Sequence, residues 1–311
     1  MALGPGGTVA PGPQVNRSLT LICALMTLGA CERSKTRAVE SEKRSPSVPA
    51  QDDSHNLAKW DDAMGTVIAT PSVEDGAPLL VSSDTTNSNA EVEVDLFSHD
   101  AQTVRARLHS GARTKLCMWQ RSATLSVPGS QVVAPVWTLA LARNIATPIA
   151  LDGVSELFPR DSADLVARVS AFVSALPDDS ASLSFHGLPI VVRDAWRFRA
   201  TNDSTLVVVA IAARTLNIES NPRSEVVTII VESDASTSAT GWRAGFAVRD
   251  AGSEDRIEGS DLLAALSLGN GHSAVALLRE DGSGSHIEIV ERTAPASWRL
   301  RWSSKPFSCT H

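Results

Sequence analysis

Short apolar runs separated by polar turn residues make up most of the chain beyond residue 60. Glu91–Phe97 and Thr103–His109 are predicted to be strands. Within them, Glu91–Leu96 and Val104–Leu108 alternate apolar and polar positions with a period of two, which is typical of strands that bury one face. Ser98-His99-Asp100 between them is predicted to be a hairpin turn. Further runs predict four more strands in this part of the chain: Gly65–Thr70, Pro78–Ser82, Thr114–Gln120 and Ala123–Val127.

One segment repeats its apolar residues at the helical period instead. Its apolar stripe has spacings of 4, 3 and 4 residues: Leu165, Val169, Phe172 and Leu176. Asp161 or Ser162 is expected to cap the N-terminus, and Pro177 is expected to end the helix. The spacing therefore predicts an amphipathic helix near residues 162–176, with this stripe in the core.

The C-terminal part contains a weak internal repeat. The motif Ile-Val-Glu occurs at Ile230–Glu232 and again 59 residues later at Ile289–Glu291, and a Trp-Arg pair follows each copy, at Trp242 and at Trp298. Each copy is predicted to be a meander of about four antiparallel strands. Two copies do not close a propeller, so one long twisted sheet and two packed sheets are the alternatives. The predicted units are residues about 205–250 and 262–303.

The N-terminal part carries an apolar run of a different kind. Arg17 precedes Leu19–Leu28, and the run ends in Leu28-Gly29-Ala30-Cys31. A run this short cannot span a hydrocarbon core, which needs about 20 residues of helix. The order of cation, apolar stretch and small residues is that of a secretory signal, so residues 1–30 are predicted to be a signal peptide.

The sequence Leu28-Gly29-Ala30-Cys31 resembles the lipobox of bacterial lipoproteins. The resemblance implies cleavage before Cys31, a lipid on this cysteine and anchoring to a membrane. Residues 32–55 are rich in Ser, Pro and charge, a composition that cannot bury enough apolar surface to fold. Residues 31–59 are therefore predicted to be the lipidated cysteine and a disordered tether. The alternatives are a buried helix and an ordinary cleaved signal that ends in cysteine.

Beyond the tether, the fold class is predicted to be mainly β, of the α+β type. Pro128-Gly129-Ser130 is the predicted boundary between two domains. The first is a small β-rich domain at residues 60–130. The second, at 131–311, is a larger antiparallel β domain that contains the helix and the internal repeat.

The chain is moderately acidic, with a formal net charge of −7. It offers little to attract a phosphate backbone, so no nucleic-acid partner is expected. The lipobox resemblance implies export, with the folded part held at the periplasmic face of the outer membrane or at the cell surface. The expected partners are the membrane, through the lipid, and an envelope protein or glycan.

Four cysteines are present, of which Cys23 leaves with the signal peptide and Cys31 is the predicted lipidation site. Cys117 and Cys309 remain, an even number in an exported, oxidising setting. A disulfide between them would tie the C-terminal end to the early part of the fold. Two separate buried thiols are the other alternative, because free cysteine is among the most buried residue types.

The candidate catalytic motifs are weak. Gly271-His272-Ser273 resembles the start of the nucleophile elbow of α/β-hydrolases, but the second glycine is missing and the flanking runs predict a hairpin. Ser273 is therefore not predicted to be a nucleophile, and the catalytic residues are unknown. The seven histidines are scattered without the spacing of a zinc site, so no metal and no cofactor are predicted.

Aromatic or apolar residues alternate with arginines in two segments, Trp196–Arg199 and Trp298–Trp302. The simplest interpretation puts the aromatic rings in the core and the arginines in water or beside cross-strand carboxylates. The alternative is an interaction surface for a glycan or protein, since Arg and Trp are enriched at interface hot spots. That surface would consist of Trp196, Arg197, Arg199, Trp298, Arg299 and Arg301.

The C-terminal sequence Ser297–Ser304, with Cys309 close behind, resembles tails of bacterial envelope lipoproteins, a likeness that carries no activity. The predicted function is non-catalytic binding or scaffolding of an envelope partner by a membrane-tethered lipoprotein. The alternative is a tethered hydrolase that acts on an envelope polymer such as a glycan, because the many carboxylates leave a paired acid and base open.

Overall fold

Three antiparallel sheets and one α-helix form the part of the chain that this computed structural model describes, and the predicted mainly β fold of antiparallel meanders is confirmed. Two 3₁₀ helices lie at Val154–Glu156 and Leu183–Phe185. All described residues belong to one unit, within Val48–His311. They are residues 68–71, 78–80, 91–113, 121–126, 137–177, 183–203, 205–217, 222–233, 241–253, 259–281 and 284–304.

Six strands close into the first sheet, here called the closed sheet. They are β1 (Ile68–Pro71), β2 (Pro78–Leu80), β3 (Glu91–Phe97), β4 (Thr103–Arg113), β5 (Arg121–Ser126) and β6 (Leu139–Ala142). Their order is β1-β2-β5-β4-β3-β6, and β6 pairs back onto β1. The predicted hairpin of β3 and β4 is confirmed, whereas the predicted strand Thr114–Gln120 lies outside the described residues. Because β6 follows residue 130, the closed sheet extends past the predicted domain boundary.

Ten further strands form two five-stranded antiparallel sheets. In chain order they are β7 (Ala146–Ile149), β8 (Asp152–Gly153), β9 (Val191–Arg199), β10 (Leu206–Leu216), β11 (Arg223–Ser233), β12 (Trp242–Ser253), β13 (Ser260–Leu268), β14 (Ser273–Asp281), β15 (Gly284–Ala294) and β16 (Ser297–Ser303). The second sheet has the order β12-β11-β10-β9-β8, and the third has β16-β15-β14-β13-β7. Each contains a meander of four consecutive strands, so the two Ile-Val-Glu motifs lie in corresponding strands, β11 and β15.

The sheets are stacked and share apolar cores. The second and third sheets contribute to one buried cluster, which includes Ile230, Val275 and Val290. The other side of the third sheet packs against the closed sheet, where Ile289 and Phe97 belong to the same cluster. Because both faces of β10 and β11 are covered, the residues of these strands are buried almost without interruption.

The helix α1 (Pro159–Ala175) covers the outer side of the second sheet. Its buried residues are Leu165, Val169 and Val173. The cap expected at Asp161 or Ser162 is wrong, because Phe158 is the N-cap residue and makes no side-chain cap. Pro159 begins the helix, since its fixed φ suits the first turn and its missing N–H needs no partner there. Within the described ranges no helix is both long and apolar enough to cross a membrane.

Candidate binding groove

The outer face of β3 and β4 carries a ladder of opposite charges. The period-two alternation turns Val94 into an apolar cluster of the closed sheet and leaves Glu93 and Asp95 on the opposite face. The antiparallel register places Arg107 opposite Glu93 and Arg105 opposite Asp95. Carboxylates of one strand therefore lie beside guanidinium groups of the next.

Two clefts lie along this face, with volumes of about 540 and 470 Å³. Thr103 and Arg105 line both clefts, so the two form one continuous surface. The first cleft reaches Arg143, and the second reaches Asn144 and Thr147. We call this surface the β4 groove, and its polar residues are Glu93, Asp95, Thr103, Arg105, Arg107, Arg143, Asn144 and Thr147.

Most charges of the β4 groove are paired. Arg143 Nη1 is 2.5 Å from Glu93 Oε2, and Arg107 Nη1 is 3.2 Å from Glu91 Oε1. The hydrogen bond and the charge of Arg143 hold the pKa of Glu93 below its ordinary value. Arg105 is exposed and makes no hydrogen bond or ion pair with any described residue. Its guanidinium is therefore open to a group from outside the described chain.

A buried carboxylate fixes the turn that borders the groove. Asp95 is 7% exposed, and its Oδ2 accepts a hydrogen bond of 3.0 Å from the backbone N–H of Asn144. The backbone N–H of Arg143 donates to the carbonyl oxygen of Glu93 at 3.1 Å. Asn144 has a φ of 63°, a left-handed conformation that asparagine adopts more readily than most residues. These two hydrogen bonds to β3 hold the turn so that Arg143 lines the first cleft and Asn144 lines the second.

Sequence reasoning predicted β3 and β4 but did not find the groove. The sequence does show part of the groove, because acidic residues occupy alternate positions of β3 and basic residues occupy alternate positions of β4. The remaining wall comes from Arg143, Asn144 and Thr147, which lie about 50 residues further along the chain. No local pattern indicates that this turn packs beside β3.

A second polar cluster lies at the turn between β13 and β14. Glu291 is 1% exposed, and its carboxylate is in hydrogen-bond contact with three side chains: Asn270 Nδ2 at 2.9 Å, Arg301 Nη1 at 2.7 Å and His272 Nδ1 at 2.8 Å. Burial alone raises the pKa of Glu291, but these hydrogen bonds outweigh it, and the pKa is lowered. An ionised carboxylate only accepts hydrogen bonds, so Nδ1–H of the half-exposed His272 donates to it.

Gly271 and His272 lie in a hairpin turn, as the flanking runs predicted, and Ser273 begins β14. β13 and β14 pair antiparallel on either side of the turn, and Gly271 has a φ of 81°. Ser273 is 3% exposed, and its hydroxyl accepts a hydrogen bond of 2.9 Å from the backbone N–H of Thr201. Thr201 follows β9, so this bond joins the second sheet to the third.

The predicted interaction surface does not hold together as one patch, because its two tryptophans face inward. Trp298 is 5% exposed, and its Nε1–H donates to Glu232 at 2.6 Å. Trp196 is half-buried and packs against the same core between the second and third sheets. The ring of Trp298 therefore belongs to the core and is not on a surface.

The arginines of that predicted surface lie on two different sheets. Arg197 Nε is 3.1 Å from Asp152 on the second sheet, where Arg199 is also exposed. Arg299 and Arg301 contact Glu291 on the third sheet. In β9 the aromatic residues face the core and the arginines face away from it. In β16 a register shift between Ile289 and Val290 interrupts the alternation, so Trp298 and Trp302 pack into different clusters and Arg301 is 15% exposed beside Glu291. Binding of a partner to these arginines stays a prediction.

The predicted lipidation, signal and disulfide residues lie outside the described residues, so their roles stay predictions. They are Arg17, Leu28, Gly29, Ala30, Cys31, Cys117 and Cys309. Among the described residues, no group of three or more His, Cys, Asp or Glu side chains is placed to hold a metal ion. The chain matches no protein-family model, no curated protein and no solved structure.

Proposed function

We propose that this chain is an exported lipoprotein, lipidated at Cys31, whose folded part binds an envelope partner without catalysis at the β4 groove. The secretory order and lipobox of residues 17–31 support export and anchoring. The partner is an envelope protein or glycan. The tether holds the folded part at the periplasmic face of the outer membrane or at the cell surface.

The open guanidinium of Arg105 in a groove of suitable size is the observation that carries the binding role. The two clefts, of about 540 and 470 Å³, have volumes within the range of about 300–1,000 Å³ that ligand sites show. A guanidinium has five N–H donors, and no described residue uses those of Arg105. The turn that borders the groove is held by the buried Asp95, so the site is largely preformed.

Site-specific photo-crosslinking in intact cells tests this proposal. A photoreactive residue replaces Thr147 in the β4 groove or, as a control, the exposed Ala171 on α1. We expect a discrete adduct from position 147 that weakens when Arg105→Gln is added, and none from position 171. Equal adducts from both positions, or none from position 147, would contradict binding at the groove.

A tethered hydrolase is the second candidate, and the cluster around Glu291 favours it. The carboxylate fixes Nδ1–H of His272, so Nε2 is left to accept a proton, which is the arrangement of an oriented general base. The hydroxyl of Ser273 accepts a hydrogen bond from the backbone N–H of Thr201, so the nucleophile would be a water molecule. The substrate would be an envelope polymer such as a glycan.

Incubation of the purified chain with isolated envelope glycan separates the two candidates. The hydrolase predicts new reducing ends that disappear in His272→Ala and persist in His186→Ala, which removes an exposed histidine elsewhere. Binding without catalysis predicts that the wild-type chain produces no new reducing ends and that crosslinks form specifically at the groove.

A further inference from the structure

We propose that the β4 groove recognises an extended peptide segment through a single carboxylate, the side chain of an Asp or Glu, which binds to Arg105. This inference rests on the proposed binding function and names the class of ligand. It follows from the pairing of charges in the groove, from its mixture of donors and acceptors, and from the position of Arg105 along β4.

The pairing of the charges favours a negative group at Arg105. Arg143 is paired with Glu93 and Arg107 with Glu91. Asp95 lies opposite Arg105 on β3, but Oδ2 of this buried carboxylate accepts from the backbone N–H of Asn144, and the two side chains form no ion pair. Arg105 has no such partner in the described part of the chain. A guanidinium binds a carboxylate through two parallel hydrogen bonds. A ligand carboxylate at Arg105 completes the row of ion pairs along β4.

The other polar groups match a peptide backbone better than a phosphate or a polyanion. Thr103, Asn144 and Thr147 have groups that donate hydrogen bonds, whereas Glu93 and Asp95 accept them when ionised. A peptide residue has one N–H donor and one C=O acceptor, so a peptide uses both kinds of group. Phosphate oxygens only accept hydrogen bonds, so a phosphate makes no use of the acceptors in the groove.

The position of Arg105 sets the length and register of the ligand. Arg105 and Thr103 line both clefts, so Arg105 lies where the two clefts meet. Thr103–Arg107 covers the length of the first cleft, about 13 Å of extended strand. A segment of about five extended residues fills this length, with its acidic residue near the middle.

Fluorescence anisotropy with the full-length chain in detergent micelles tests the inference. The probes are two labelled pools of short peptides that share random flanking positions and carry either Asp or Asn in the centre. We expect the Asp pool to bind at least about tenfold more tightly, the effect of a charge-assisted hydrogen bond. Arg105→Gln should remove this difference, and Arg243→Gln, which removes an exposed arginine of β12, should leave it unchanged.

A further variant distinguishes the loss of the Arg105 contact from a folding defect. Arg105→Lys keeps the charge but loses the paired hydrogen bonds, so it should retain part of the preference for Asp. Equal affinity of the wild-type chain for both pools would overturn the inference, and so would a preference that survives Arg105→Gln. Displacement of the Asp pool by inorganic phosphate as readily as by unlabelled peptide would also overturn it, since that indicates a general anion site.

The outcomes distinguish this inference from the proposed function. If crosslinks in cells are specific to the groove but the two peptide pools bind equally, the groove binds a partner and an acidic peptide is not its ligand. Absence of both crosslinks and peptide binding contradicts both. A preference for Asp that depends on Arg105 supports the inference and the groove together.

Discussion

The glutamate of the repeated Ile-Val-Glu motif is a buried carboxylate in both copies. Glu232 is 2% exposed and Glu291 is 1% exposed. Glu232 belongs to the second sheet, but Arg292 and Trp298, which donate to it, belong to the third. The partners of Glu291 all lie in the third sheet or its turn. The same motif therefore joins two sheets in one copy and holds a hairpin end in the other.

Glu232→Gln should be strongly destabilising. Arg292 Nε and Nη2 lie 2.6 and 3.0 Å from the two carboxylate oxygens, and Arg292 is 7% exposed. Breaking a buried ion pair costs about 3–5 kcal/mol when the remaining charge has no other partner. Arg292 keeps Asp203 at 2.9 Å, so the loss should lie near or below the lower end of this range. Urea denaturation measures the loss in the free energy of unfolding. Glu280→Gln, which removes an exposed carboxylate of β14, is the control, and an equal effect of both variants would refute the bridging role.

Glu291 gives the stability of the chain a specific dependence on pH. Its pKa in the folded chain lies below the ordinary value of 4.5, so the unfolded chain binds the proton more readily. The stabilisation by the ionised carboxylate is complete above the unfolded pKa and is lost as the pH falls through the folded pKa. The free energy of unfolding of the wild type minus that of Glu291→Gln should therefore shrink as the pH falls from about 5 to about 3.

Urea titrations of both proteins at several pH values measure this difference. The lowered pKa values of Glu93 and Asp203 affect wild type and variant alike, so they cancel. A difference that stays constant over the acid range would show that Glu291 is not stabilised as the carboxylate.

At the scale of elements, a bulge in β12 makes room for Trp298. The register of β11 and β12 shifts between Ile230 and Val231, which leaves Gly245 without an opposite residue. A Cβ at Gly245 would lie 2.5 Å from Cδ1 of Trp298, closer than a contact allows. The glycine is therefore required for the two edge strands β12 and β16 to pack.

Gly245→Ala should lower the free energy of unfolding by about 1–3 kcal/mol, the usual effect of overpacking a core. Gly259→Ala is the matched control, because a Cβ there meets no atom within 4 Å. Thermal or urea unfolding of the two variants compares them directly. If Gly245→Ala proves no less stable than the control, Trp298 does not pack as tightly as the structure indicates.

The elements also show where sequence reasoning succeeds and where it stops. β3 has the bounds predicted for it, because the alternation covers Glu91–Leu96 and the turn residues Ser98-His99-Asp100 follow directly after Phe97. β6 was not predicted, since Leu139–Ala142 is apolar throughout and gives no period. The helix α1 begins at Pro159, whose fixed φ favours the first helical position. The sequence had predicted a side-chain cap a few residues later. The β4 groove combines predicted strands with a turn that only the folded chain brings to them.

At the scale of the whole described unit, the stacking order is α1, the second sheet, the third sheet and the closed sheet. The sequence repeat predicted the meanders but could not indicate which of their faces meet. β10 is covered on both sides and is apolar without a break from Leu206 to Ala213, so its sequence has no polar face that would mark an outer side. The β4 groove lies on the closed sheet beside β7 of the third sheet. The closed sheet begins nearest the predicted tether in the described part of the chain.

The intact mass of the protein extracted from its native membrane tests the proposed lipid anchor, on which both the location and the partner depend. We predict a chain that begins at Cys31 and carries the added mass of two or three acyl chains on that residue. A chain without lipid that begins elsewhere would contradict the anchor, and the β4 groove would then have no link to an envelope partner.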